Sequence, residues 1–314
     1  MTVSEHHIRT RPMPPPLQHG DEVDYAPALA ATGGPVRQFV RRLRRQRVAF
    51  TAFLIVLFLV VVAIFGGYLA PYDPLQQDLR NVFAGPSTSH WFGTDEVGRD
   101  VLSRMIAGTR VSLTAAVLAV GTALGLGVVP GLLAGFFGGW IDVVVSRVTD
   151  ALMSFPPLLL AVAIVGILGP GLGNAMFGVG AIFAPRFVRL TRGSVLAVKQ
   201  ETYVEASRSI GTPITRIIRT RILPNILSPL IVQTSVLLGL AMLAEASLSF
   251  LGLGVQPPEA SWGAMVGRAT RHLNRSPTLV MFPGAAIVIA VLAFSLLGDG
   301  IRDSFGRESH EEAA

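Results

Sequence analysis

Residues Val48–Ala70 run for 23 positions without a charge, and Val111–Ile141 run for 31. The hydrocarbon core of a bilayer, about 30 Å thick, takes roughly 20 apolar helical residues to cross. A chain with such stretches is constrained to fold as membrane-spanning helices. Ala151–Pro185 is a third apolar run, too long for one span. Its centre reads Gly169-Pro170-Gly171-Leu172-Gly173-Asn174, a turn signal, so it is read as two helices. Ile222–Ala244 and Ser276–Gly298 bring the expected number of spans to six. The run at Val48 exceeds the length of a signal-peptide h-region, and no small-residue cleavage site follows closely.

Composition agrees. Apolar residues make up 51% of the 314 and charged residues only 15%, against roughly 25% charged in a soluble domain. With no cysteine, neither disulfides nor thiolate metal sites are available. The net charge of +6 is not distributed as in a nucleic-acid binder. Arg37, Arg41, Arg42, Arg44, Arg45 and Arg47 crowd the start of the first span. With that end in the cytoplasm, the positive-inside rule holds along the chain, and both termini are expected inside.

The expected organisation is a basic, largely disordered cytoplasmic tail (1–47), a first span (48–70), an extracytoplasmic loop (71–110), and a five-helix core (111–303). A cytoplasmic loop (190–224) lies within the core, and a cytoplasmic tail (304–314) follows it. Gly127, Gly131, Gly135 and Gly139 recur every four residues, after Gly121 and Gly125. That spacing predicts a face where another helix backbone approaches closely. Glu245 ends an otherwise uncharged run. Ionisable groups at membrane depth usually face a cavity or a partner. It is therefore a candidate for the translocation path or an outer gate, the alternative being a structural bond to the neighbouring loop.

The polar segment from Tyr203 to Pro224 is longer than a turn between spans requires. Lys199–Ile210 is predicted as a short amphipathic helix with Tyr203, Ala206, Ser207 and Ile210 on one face. Gly211 would stop it. Thr212 and Pro213 would cap and restart a second helix, and Pro224 would open the next span.

Glu205-Ala206-Ser207, Gly211 and Leu223-Pro224 resemble the EAA loop of ABC-importer permeases. Four further stretches are similar to one branch, the C-type permease subunit of dipeptide/oligopeptide importers: Phe92–Arg104, Glu245–Gly254, Pro257–Gly263 and Leu297–Asp303. The resemblance implies an all-α, six-span type I importer permease fold and a peptide substrate; a metal chelate or haem is the alternative cargo. It implies a second homologous permease subunit, two cytoplasmic ATPase subunits that carry ATP and Mg, and an extracytoplasmic solute-binding protein. The helix bearing Glu205, Ala206 and Ser207 would couple to one ATPase, with Gly211 permitting its sharp exit. Ser207 departs from the family's second alanine, and Arg221 stands where an apolar residue is usual.

The chain carries no Walker A loop; its only lysine, Lys199, lies between Val198 and Gln200. It is therefore expected to be no enzyme and to bind no cofactor or metal. The acidic set Asp95, Glu96 and Asp100 is a candidate acidic outer site, the alternative being a solvated loop that caps a helix. The rival readings are an ion-coupled secondary transporter, which would need polar midplane groups, and a non-transporting scaffold.

Overall fold

The computed structural model describes residues 46–306. The expected tail at 1–45, with Arg37 to Arg45, and the end of the second tail, 307–314, lie outside the described residues.

Helix α1 (Arg47–Leu69) matches the first expected span to within a residue at each end. Helix α2 (Val101–Phe137) starts ten residues before the expected Val111. Arg104 and Arg110 are helical rather than part of a loop. The Asp100 carboxylate caps the new start by accepting from Ser103 N at 2.8 Å and Ser103 Oγ at 2.7 Å.

At its other end α2 stops at Phe137, short of the expected Ile141. Gly138 and Gly139 take φ of +68° and +57°, a region glycine enters freely, and α3 (Gly139–Met153) sets off separately. Ser154–Pro156 then breaks the chain again before α4 (Pro157–Leu168), and the two helices are bent by 95°. Two successive prolines cannot donate to a continuing helix, and each restricts the residue before it. Twelve residues, about 18 Å of helix, cannot cross a bilayer alone. So the third expected span is a broken one. The break at Gly169–Gly171 falls where the sequence signalled it, with φ of +90° and +139° at the two glycines.

Helix α5 (Leu172–Lys199) runs through Pro185 and 14 residues past the expected end of its span. Arg192, expected in the cytoplasmic loop, is helical, as are Arg186 and Arg189 before it. Two short helices follow, α6 (Thr202–Ser209) and α7 (Ile214–Ile217). A π turn (Ile218–Ile222) then leads into α8 (Leu223–Phe250), α9 (Trp262–Ala269) and α10 (Thr278–Gly306). By length and apolarity four helical stretches qualify as spans: α1, α2, α7 through α8, and α10. The bent α3–α4 pair makes a fifth. Helix α5 is long enough for the sixth but is marked by its arginines.

Lipid offers no hydrophobic drive between spans, so close backbone approach and polar fasteners must hold them together. Helices α2 and α5 do this along most of their length. A Cβ on Gly127 would stand 2.6 Å from Ala184 O and from Phe187 Cβ. On Gly131 it would stand 2.7 Å from Val188 O, and on Gly135 2.9 Å from Arg192 O. Gly180 of α5 returns the contact, 2.6 Å from Ala119 O by the same measure. Gly121 and Gly125 face open space, and Gly139 has left the helix. Helix α1 lies against α2 and α10, and α8 packs against α2, α5 and α10.

Two ends result. Residues 70–100 and 251–277 form one, here called the rim. Residues 137–156 and 199–222 form the other, the foot.

Candidate functional site

At the foot, α6 begins at Thr202, later than the expected Lys199, and ends where expected. Gly211 N donates to Arg208 O at 2.9 Å and Thr212 N to Ser207 O at 3.1 Å. This pair of bonds is the Schellman closure, with glycine at the left-handed position. Gly211 has φ of +75° and nothing within 4 Å of where a Cβ would sit. Its conformation, not lack of room, calls for glycine.

The restart differs from the expectation. Pro213, not Thr212, occupies the N-cap of α7, and no side chain caps it. Pro224 does not open a new helix; the chain is helical from Ile214 to Phe250. Proline lacks an N–H, and its ring collides with the carbonyl four residues back. The π turn relieves this by widening, and Leu223 N reaches Ile218 O, five residues behind.

The faces of α6 also differ from the periodicity argument. Val204 and Ser207 are buried, while Tyr203, Ala206 and Ile210 are exposed. The apolar side of the helix therefore points away from the chain. Ile210 is 82% exposed and Ile214 49%. Glu205, Leu223 and Pro224 are exposed as well. The surface is a small apolar patch edged by Glu205.

Sequence reasoning missed the anchors of this helix. Asn225 Nδ2 donates to Tyr203 Oη at 3.1 Å and to Arg221 O at 2.6 Å, tying α6 to the start of α8. Lys199 Nζ donates to Phe136 O at 2.7 Å, at the last turn of α2. The Arg208 guanidinium carbon lies 5.2 Å from the centre of the Phe136 ring, within cation–π range. Ser207 Oγ donates to Tyr203 O at 2.7 Å, so the serine hydroxyl is satisfied inside its own helix. Tyr203 and Asn225 lie 22 residues apart, and no local pattern links them.

Glu245 is 1% exposed. Its carboxylate accepts from Ser249 Oγ at 2.7 Å and Ser112 Oγ at 3.5 Å. Ser249 Oγ in turn accepts from Val255 N, and Ser112 Oγ accepts from Trp262 N, each at 3.2 Å. Glu245 thus fastens the rim loop to α2 and α8. Direct contact with a passing solute is closed to it in this conformation. The fully enclosed Trp262 adds a bond from Nε1 to Met105 O at 3.0 Å.

The acidic set at the rim is neither solvated nor a cluster of like charges. Asp95 Oδ2 pairs with Arg99 Nε at 2.7 Å and Arg104 Nε at 3.5 Å. Glu96 pairs with Arg99 at 3.2 Å and approaches Arg268 at 3.9 Å. Asp100 also meets His90 Nδ1 at 2.9 Å. Burial holds the Arg268 guanidinium below the usual arginine range. At the foot, Asp142 pairs with Arg192 and Asp150 with Arg189.

A cavity of about 230 Å³ opens between α4, α5 and α8, and one of about 380 Å³ lies toward the tip of α8. Their walls are mostly aliphatic. Among the described residues no three His, Asp or Glu converge as metal ligands would.

Residues 127–309 match the family described as binding-protein-dependent transport system inner membrane component. Residues 34–86 match the N-terminal TM domain of oligopeptide transport permease C. The glutathione transport system permease protein GsiD of Pectobacterium atrosepticum is 44% identical over 271 residues, 86% of this chain and 90% of that protein. GsiD of Escherichia coli O6:K15:H31 is 45% identical over 271 residues, 86% and 89% of the two chains. Among solved structures, an inward-facing MetNI methionine ABC transporter chain superposes with a TM-score of 0.53 at 21% identity, covering 65% of this chain and 96% of that one. That likeness concerns the fold. With its all-helical core, its broken span and both family matches in chain order, the protein belongs to the binding-protein-dependent transport system inner membrane components, the permease subunits of ABC importers.

Proposed function

We propose that the chain imports small peptides as one of two paired permease subunits, with two ATPase subunits at the foot and a solute-binding protein at the rim. ATP and Mg belong to the ATPases, and the chain itself needs no cofactor. The GsiD relatives, glutathione permeases by name, support a short peptide over a metal chelate or haem. In this reading the foot and both termini are cytoplasmic. The positive-inside bias of the arginines supports that.

The observation that carries the proposal is the outward apolar face of α6. A helix that only closed a turn would bury Tyr203, Ala206 and Ile210 rather than Val204 and Ser207. Glu205, Ala206 and Ser207 would seat α6 in a groove of one ATPase, with Gly211 setting the exit angle and Leu223-Pro224 the foot of the attached span. ATP binding would move the ATPase and α6 with it. The Tyr203–Asn225 bond would pass that movement to α8, and the Arg208 and Lys199 contacts on Phe136 would pass it to α2. Access to the cavity then switches between two arrangements biased by nucleotide.

The test uses the absence of native cysteine. Ala206→Cys, in the assembled complex in membranes, should crosslink to an ATPase subunit carrying a cysteine in its receiving groove. Absence of any crosslink to an ATP-hydrolysing partner, in a complex that still transports, overturns the assignment of α6.

A further inference from the structure

Helix α5 carries arginines at 186, 189 and 192, and their fates differ. Arg192 pairs with Asp142, and Arg189 Nη2 donates to Asp150 at 2.7 Å, both acids lying on α3. Arg186 has no acidic partner among the described residues and is exposed. Its depth follows from the packing of α5 on α2. Ala184 and Phe187, on either side of it, touch Gly127. Gly127 lies ten residues before the end of α2 at Phe137, about 15 Å at 1.5 Å per residue. Arg186 also lies only one turn, about 4.5 Å along α5, inward of Arg189, whose exposed pair with Asp150 belongs to the foot. An unpaired guanidinium there is costly against lipid and is tolerated where it faces water or a partner.

Arg186 borders the 230 Å³ cavity between α4, α5 and α8. It is the one charged side chain in that wall, and Ser247 is the only other polar one; the remainder, such as Pro157, Leu158 and Leu243, is apolar. The guanidinium carbon lies 5.3 Å from the centre of the Phe183 ring. Contact with a ring face leaves the N–H edge of the guanidinium available, and that edge matches a carboxylate with two parallel bonds.

We propose that Arg186 is a specificity-determining residue of the translocation path, receiving a side-chain carboxylate of the transported peptide as it passes this cavity. The proposal rests on the reading of the chain as a peptide-importer permease. A peptide carrying acidic side chains gains most from the site. A neutral peptide of the same length crosses the same cavity with less dependence on it.

The experiment uses the whole complex, with its binding protein, in proteoliposomes. Wild type, Arg186→Gln and Arg186→Lys are compared for uptake of an acidic and a neutral dipeptide, both confirmed to bind the binding protein. Arg186→Gln should slow the acidic peptide roughly tenfold relative to the neutral one, the loss expected for one charge-assisted pair. Arg186→Lys should recover part of it. In parallel, Arg186→Cys should react with a hydrophilic, membrane-impermeant thiol reagent, whereas Phe58→Cys, on the exposed side of α1, should not. An equal effect of Arg186→Gln on both peptides overturns the proposal. So does an unreactive Arg186→Cys, or loss of the second permease subunit on purification of Arg186→Gln, which would assign the arginine to a subunit contact. Failure of the underlying function looks different, because wild type would then transport neither peptide.

Discussion

The rim and the foot both end in polar segments, yet they hold their charges in opposite ways. At the rim Asp95, Arg99, Asp100 and Arg104 are all below a tenth exposed, Asp95, Arg99 and Arg104 bound to one another or to loop backbone and Asp100 to His90 and Ser103. At the foot Arg189 and Asp150 are each more than half exposed, and Glu205 and Arg208 lie open. Breaking a buried pair leaves a charge without water or partner and costs about 3–5 kcal/mol. An exposed pair contributes about 0–1 kcal/mol. One end is built to keep its shape, and the other is held by contacts weak enough to rearrange.

The strongest attack on this contrast is Asp95→Ala. It leaves Arg104 without an acidic partner and Arg99 with Glu96 alone, and should lower stability by about 3–5 kcal/mol in thermal unfolding of the purified complex; Asp150→Ala should change it by less than about 1 kcal/mol. Equal effects would erase the distinction between the ends. Next is Glu245→Ala, which leaves Ser112 and Ser249 without their acceptor and should cost about 1–3 kcal/mol. Glu245→Gln, which can still accept, should cost less. Loss of uptake in Glu245→Gln with stability retained would instead support the gate role. Gly211→Ala should cost about 1 kcal/mol, through its left-handed φ alone, and Gly211→Asn less. Because the site is open, a bulky residue there should be hardly worse than alanine in stability, so any larger loss of ATP-driven uptake reports on docking. Smallest in stability is Asn225→Ala, within about 1 kcal/mol. It should nevertheless lower uptake per ATP hydrolysed, measured as the ratio of the two rates. An unchanged ratio would remove the Tyr203–Asn225 bond from the coupling route.

What the sequence disclosed follows the range of the forces involved. Helix α1 was legible because nothing but lipid and small residues decides it. The stop at Gly211 and the break at Gly169–Gly171 were legible because backbone conformation is a local property. The start of α2 was not, because the charge of Arg104 is answered by Asp95 through the fold of a loop. The length of α5 was hidden for the same reason: Arg189 and Arg192 find their acids on α3, some 40–50 residues away. The face of α6 was misjudged because periodicity alone grouped Ser207 with Tyr203, Ala206 and Ile210, whereas the fold buries it beside Val204. Val204 and Ser207 fit the narrow space against the bundle, and the larger Tyr203 and Ile210 are left outside.

The wide turn at Ile218–Ile222 has a geometric consequence for that outer surface. One extra residue in a turn shifts everything before it by about 100° around the axis. If the turn tightened, Ile217 would swing out of the interior and Ile214 toward it. The missing N–H of Pro224 therefore acts at a distance, setting the compass bearing at which the foot meets whatever approaches from below.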